Sequence, residues 1–137
     1  MSKPSAFALG SMITMAAAGG PVVVQATRPV HRAYCGVDEV VALSLLTALR
    51  GRDEVFDTGG VEVELGELAR VVAHEHGLGD DAVVRRLDPG ASPSRYVGDG
   101  RRMAELAEGE GMELRTLPEL VRQTSQWLVG TGAVAGP

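Results

Sequence analysis

One stretch constrains this chain more than any other: Arg32 to Arg50, which reads RAYCGVDEVVALSLLTALR. Arg32 to Gly36 has the character of a short strand, and Gly36-Val37-Asp38-Glu39 turns it into a helix that runs to Arg50. Asp38 and Glu39 fall in the first helical turn, where negative charge meets the positive end of the helix dipole. Arg50 closes the other end and Gly51 follows as a stop. Val40, Val41, Leu43, Leu45, Leu46 and Leu49 make this helix apolar nearly all round. A helix of that kind packs on more than one side, so the pattern predicts a central core helix fed by a strand.

The segments on either side extend the alternation of strands and helices. Ser5 to Ala18 reads as a first helix, ended by Gly19-Gly20-Pro21. The β-branched run in Val22 to Ala26 suits a strand, and Thr27 to Val30 suits the turn into Arg32. Val55-Phe56-Asp57 is expected as a short strand. It leads into Thr58-Gly59-Gly60, where a glycine pair permits a tight bend or the close approach of backbone to a ligand. Val61 to Val63 alternates like a brief edge strand. Leu65 to His76 is a helix with Leu65, Leu68, Val71 and Val72 on one face, stopped by Gly77. Ala82 to Leu87 is a strand candidate, and Tyr96-Val97 a last bridge after a loop carrying Pro89, Gly90 and Pro93. Asp99 suits the N-cap of a short helix through Leu106, with Met103 and Leu106 inward.

The last helix carries the clearest local signal. Thr116-Leu117-Pro118-Glu119 is a capping box, in which the Thr hydroxyl takes an orphan backbone N–H and Glu119 reaches back. Leu117, Leu120, Val121, Thr124, Trp127 and Leu128 form the expected buried stripe. Gly130 to Pro137 reads as a flexible tail of small residues. The expected fold class is α/β, with short strands in small mixed sheets packed with about five helices. Residues 1–129 are expected to form one domain, with no internal repeat.

Composition narrows the function classes. A net charge of −5 argues against a nucleic-acid backbone binder, which needs a basic face, although a local basic pocket for a phosphate remains compatible. Cys35 is the single cysteine, so no intrachain disulfide can form, and a reducing cytoplasm is the expected compartment. Met1 to Gly20 has Lys3 and an Ala-rich run, but Gly10, Ser11 and Thr14 interrupt it, so it reads as a helix rather than an export signal. No stretch is long and apolar enough to cross a membrane. His74 and His76 point to different faces of a helix and do not make a chelating pair.

The strand-turn-helix Arg32-Ala33-Tyr34-Cys35-Gly36-Val37-Asp38-Glu39 resembles the Arg-Asp-aromatic-x-x-Val-Asp-Asp segment of the NAD-dependent epimerase/dehydratase family. These are extended short-chain dehydrogenases that act on nucleotide sugars. Ala33 departs from the usual Asp. Later segments follow in the family's order. Val55 to Gly60 resembles its Val-Tyr-Asn-x-Gly-x strand end, and Glu64 to Ala69 its Ser-Leu-x-Glu-Leu-Ala helix start. Ser94 to Asp99 resembles its Pro-Arg-x-x-x-Asp segment. Thr116 to Leu128 resembles its terminal helix, with Leu117, Glu119, Arg122, Thr124 and Trp127 in step. The resemblance covers about Lys3 to Val129.

Two parts of that family have no counterpart in the sequence. No Gly-x-x-Gly-x-x-Gly follows a strand, so the pyrophosphate-binding turn is missing. No Tyr-x-x-x-Lys is present, since Lys3 is the only lysine. The resemblance therefore implies a partial fold lacking most of the Rossmann domain: the substrate-binding C-terminal region, not catalytic alone. NAD or NADP is implied for the full-length parent and no cofactor for this chain by itself. Implied partners are the nucleotide sugar and either a homodimer mate or the missing Rossmann half.

In the family, an Arg at the position of Arg32 helps hold the substrate's diphosphate, a role that suits the guanidinium fork. Arg86, with Arg85 next, is the candidate for a second such Arg, while Tyr34 and Arg95 complete the expected substrate-binding set. The plainer alternative is that Arg28, Arg32, Arg85, Arg86 and Arg95 solvate strand ends. A second functional class also stands: a naturally short binding or assembly module of the same fold. The two differ in surface chemistry. A portion that works against another polypeptide should expose the apolar face of the Val37–Arg50 helix, whereas a self-contained module should cover it.

Overall fold

The computed structural model describes residues 7–132. The start of the expected first helix before residue 7 and the expected tail after residue 132 lie outside the described residues. The elements follow the order α1 (Ala8–Ala17), β1 (Val22–Val24), β2 (Val30–Tyr34), α2 (Val37–Leu49), β3 (Val61–Glu64), α3 (Leu65–Glu75), β4 (Val83–Arg85), β5 (Ser94–Tyr96), α4 (Arg101–Gly109) and α5 (Leu117–Gly130). The fold is α/β, with short strands in two small sheets. One pairs β1 with β4 in parallel. The other has the order β3-β2-β5 and is mixed, β2 running antiparallel to β3 and parallel to β5.

The helix at the centre is α3, not α2. Leu65, Leu68, Ala69, Val72 and Ala73 are buried on α3, against Met12 and Ile13 of α1, Val22 and Val24 of β1, and Val121 and Leu128 of α5. Fully burying a Leu or Val side chain of this kind stabilises by about 1.5–3 kcal/mol. A second, smaller cluster joins Leu43 of α2 to Met103, Leu106 and Ala107 of α4. The expectation that α2 packs on more than one side is therefore corrected. Only Glu39, Leu43 and Thr47 are buried along it. Val37, Val41, Leu45 and Leu49 are 77%, 51%, 59% and 84% exposed. An apolar circumference states what a helix can bury against; it does not supply the neighbour.

Two other expectations change. Val55-Phe56-Asp57 is irregular rather than a strand. Both sides of β2 are already taken, by β3 and β5, which leaves this segment no central edge to join. Trp127, expected in the buried stripe of α5, is mostly exposed, whereas Leu117, Leu120, Val121 and Leu128 are buried. α5 also continues through Gly130, where the tail was expected to begin. At its start Glu119 accepts the Thr116 backbone N–H at 2.7 Å, and the Thr116 hydroxyl donates to the same carboxylate at 2.6 Å. The capping box expected at Thr116 and Glu119 is thus formed.

Glu64 ties the two sheets together. One carboxylate oxygen accepts from the Val30 N–H at 2.9 Å, and the other from the Gly66 N–H at 2.7 Å, capping α3. The latter also accepts from Arg85 at 2.7 Å, while Arg85 donates to the carbonyls of Ala26 and Arg28. Burial pushes the Glu64 carboxyl up, but Arg85 and the two backbone N–H groups outweigh it and hold it at about 2. A carboxyl depressed in the folded chain stabilises above its unfolded value of about 4.5, and that contribution is lost as pH falls from there toward 2. Thermal melts should therefore show a melting temperature that is level near neutrality and drops below about pH 4.5. Glu64→Gln should lower the neutral-pH melting temperature and flatten the acid decline; an unchanged decline would remove Glu64 as its source.

Candidate functional site

β2 and β5 run side by side, with Arg32 and Tyr96 as register partners. Residues paired in this way project from the same face of a sheet. Their neighbours close a cleft of about 480 Å³, lined by Arg32, Ala33, Asp57, Thr58, Tyr96, Val97 and Gly98. Its two loop walls, 57–58 and 97–98, meet because the backbones cross just beyond them. A Cβ built on Gly59 would stand 2.1 Å from the Gly100 Cα, and one on Gly60 would stand 2.2 Å from the Tyr34 carbonyl oxygen. The glycine pair therefore serves close approach, as its sequence suggested, but to the protein's own backbone. The Asp57 carboxylate also accepts the Asp99 N–H at 3.2 Å, linking the same two walls.

Arg32 is half-buried, and its guanidinium donates to the His31 carbonyl at 2.7 Å. It forms no ion pair among the described residues, in contrast to Arg85, Arg95, Arg101, Arg102, Arg115 and Arg122. A guanidinium has five N–H donors, so most of this one stays free for an anion. Tyr96 is 82% exposed and presents a flat, partly apolar ring beside it. The Asp57 carboxylate and the Thr58 hydroxyl add an acceptor and a donor. Arg32 thus offers charge-assisted hydrogen bonds to an anion, Asp57 an acceptor for hydrogen-bond donors, and Tyr96 a stacking surface.

The other expected site residues are dispersed. Arg95 lies on the opposite face of β5, where its Nε and Nη2 donate to the two carboxylate oxygens of Glu62 at 2.9 and 2.7 Å. Those hydrogen bonds hold Glu62 below and Arg95 above their ordinary values. His31 approaches the same carboxylate at 3.6 Å. Arg86 is exposed past the end of β4, in the other sheet, and does not line the Arg32 cleft. Tyr34 packs against the main core, and burial pushes its hydroxyl up, with Arg32 pulling the other way. It lines an apolar cavity near Trp127 rather than the Arg32 cleft. The structure therefore brings Arg32 together with Asp57, Thr58 and Tyr96. The last three are residues whose side-chain role sequence reasoning missed, although the Asp57–Gly60 bend and the Tyr96 bridge were both legible.

Asp38 and Glu39, the acidic pair of the family-like segment, act as a clamp. Glu39 is buried and accepts the Gly36 N–H at 2.7 Å and the Arg115 N–H at 2.6 Å. The Arg115 guanidinium grips Asp38 with both nitrogens, and that contact holds the Asp38 carboxyl far below the usual carboxylate range. The clamp fixes the end of β2, and so the strand that carries Arg32, to the segment that opens α5. The histidines of α3 and its end have separate partners, His74 with Asp80 at 3.0 Å and His76 with Ser125 at 3.1 Å.

No protein-family model matches this chain, and no curated protein matches it. No described helix is long and apolar enough to cross a membrane.

Proposed function

We propose that this chain is the nucleotide-sugar-binding portion of an NAD(P)-dependent epimerase or dehydratase, and that it works in the cytoplasm. The observation that carries the reading is the unpaired, half-buried Arg32 beside Tyr96 in an open cleft. Arg95, by contrast, is neutralised by Glu62. A nucleoside diphosphate joined to a hexose matches the three chemistries in the cleft: diphosphate on Arg32, sugar hydroxyls on Asp57, and a ring system on Tyr96. By itself the chain holds neither a dinucleotide-binding turn nor a Tyr/Lys pair. Proton and hydride transfer, and the NAD or NADP that supports it, would belong to the parent's other half. Substrate orientation is the part assigned to this chain.

Titration calorimetry with UDP-, dTDP- and GDP-linked hexoses tests the assignment. Binding of one of them should weaken about tenfold or more in Arg32→Ala, the expected loss of a hydrogen-bonded charge. Tyr96→Ala should weaken it less. Arg95→Ala and Arg86→Ala should leave it unchanged. Affinity untouched by Arg32→Ala would sink the assignment.

A further inference from the structure

Two of the residues that line the Arg32 cleft are charged, Arg32 and Asp57, and they have opposite signs. They form no ion pair with each other, and neither forms one with any other described residue. The cleft therefore holds a cation and an anion apart, with room for ligand atoms between them. Asp57 is fixed in place rather than free to swing. Its Oδ2 accepts the Asp99 N–H at 3.2 Å, and its side chain lies against Gly98, where an added Cβ would stand 3.2 Å from the Asp57 Cβ. Among the described residues no donor reaches its other carboxylate oxygen. Arg101, just beyond the 97–98 wall, does not neutralise it. Its Nε and Nη2 donate instead to the two oxygens of Asp99, at 3.0 and 2.6 Å.

Given the nucleotide-sugar reading, on which this rests, we infer that Asp57 sets the sugar specificity of the cleft: it admits non-acidic hexoses and excludes hexuronic acids. A phosphate held by Arg32, in a cavity of about 480 Å³, leaves the sugar to meet the 57–58 wall. An ionised carboxylate only accepts hydrogen bonds, so Asp57 takes sugar hydroxyls and repels a second carboxylate. No neighbouring cation offsets that repulsion, and Arg32 is occupied by phosphate in this pose. The reversed pose is worse, because it sets the more highly charged diphosphate against Asp57. Discrimination then comes from a clash of charge with the wrong sugar rather than from an extra attraction to the right one.

Titration calorimetry of the whole chain tests this with two ligand pairs, UDP-glucose against UDP-glucuronate and GDP-mannose against GDP-mannuronate. Within each pair a hydroxymethyl group is exchanged for a carboxylate. In the pair whose nucleotide the chain binds, the neutral hexose should bind at least about tenfold more tightly than the hexuronate. Added salt should narrow the gap. Asp57→Asn keeps the shape and an acceptor for the Asp99 N–H but removes the charge. It should bring the ratio within about threefold, chiefly by tightening hexuronate binding. A purely structural role for Asp57 would instead weaken both ligands alike. Equal affinities in the wild type, or a ratio unchanged in Asp57→Asn, overturn the inference. If Arg32→Ala still weakens both ligands in that case, the nucleotide-sugar reading stands without it. Binding in neither pair, or binding indifferent to Arg32→Ala, overturns that reading and the inference together.

Discussion

Replacing Gly60 by Ala is expected to destabilise this chain by about 3 kcal/mol or more, roughly 10 °C in melting temperature. Two effects add. Gly60 has φ +77°, a region in which an L side chain is strained. Its added Cβ would also lie 2.2 Å from the Tyr34 carbonyl oxygen and 2.7 Å from the Cys35 Cβ, and the first of these is backbone that cannot rotate away. Gly59→Ala should be comparably severe, because its Cβ would meet the Gly100 Cα at 2.1 Å. A domain of ordinary stability, about 5–15 kcal/mol, loses a large share of it to either change. Urea unfolding followed by circular dichroism reads the effect. Gly51→Ala is the control, since it shares a positive φ with nothing near its Cβ and should show strain alone. Equal losses at Gly51 and Gly60 would mean that the backbone crossing contributes nothing. Because the crossing joins the two walls of the Arg32 cleft, the proposed function predicts that any folded Gly60→Ala protein binds nucleotide sugar more weakly.

Removing the buried carboxylate of Glu39 is expected to cost about 2–4 kcal/mol. The side chain is 6% exposed and accepts two backbone N–H groups, those of Gly36 and Arg115. Glu39→Ala leaves both donors without their acceptor and removes the N-terminal cap of α2. Glu39→Gln keeps the shape and one acceptor oxygen but turns an NH₂ toward the other donor, so it should lose part of the same amount. Chemical denaturation of both variants orders them: wild type above Gln, Gln above Ala. A Glu39→Ala protein as stable as wild type would show that the clamp is incidental. The end of β2 hangs from this clamp, so the proposed function predicts that both variants also blunt nucleotide-sugar binding at Arg32 without touching the cleft.

Local chemistry carried most of the secondary structure. The helical repeat of Leu65, Leu68 and Val72 and the capping box at Thr116 rest on contacts within a few residues of sequence. A reading of neighbours can judge such contacts. The alternation in Val61 to Val63 marked an edge strand for the same reason, and β3 is one. Val55 to Asp57 has the composition of a strand and is not one, because strand formation needs a partner edge brought alongside by the fold, which sequence does not display.

The candidate site divides along the same line. Arg32 and the glycine pair at Gly59-Gly60 were visible as residue types with a use. That Arg95 is neutralised by Glu62 depends on β3 and β5 flanking β2, a pairing between segments more than thirty residues apart. The placement of Tyr96 beside Arg32 depends on the same register.

By itself, then, the sequence determined the alternation of short strands and helices and where most helices begin and end. These follow from short-range sterics, hydrogen bonding and residue identity. The tertiary structure alone decided that α3 rather than α2 is central, that Arg32 sits unpaired beside Tyr96 while Arg85 and Arg95 are paired, and that the ridge of α2 lies open. Burial and ion pairing are properties of neighbours brought together by the fold, and hydrophobicity along a chain records only the capacity for them.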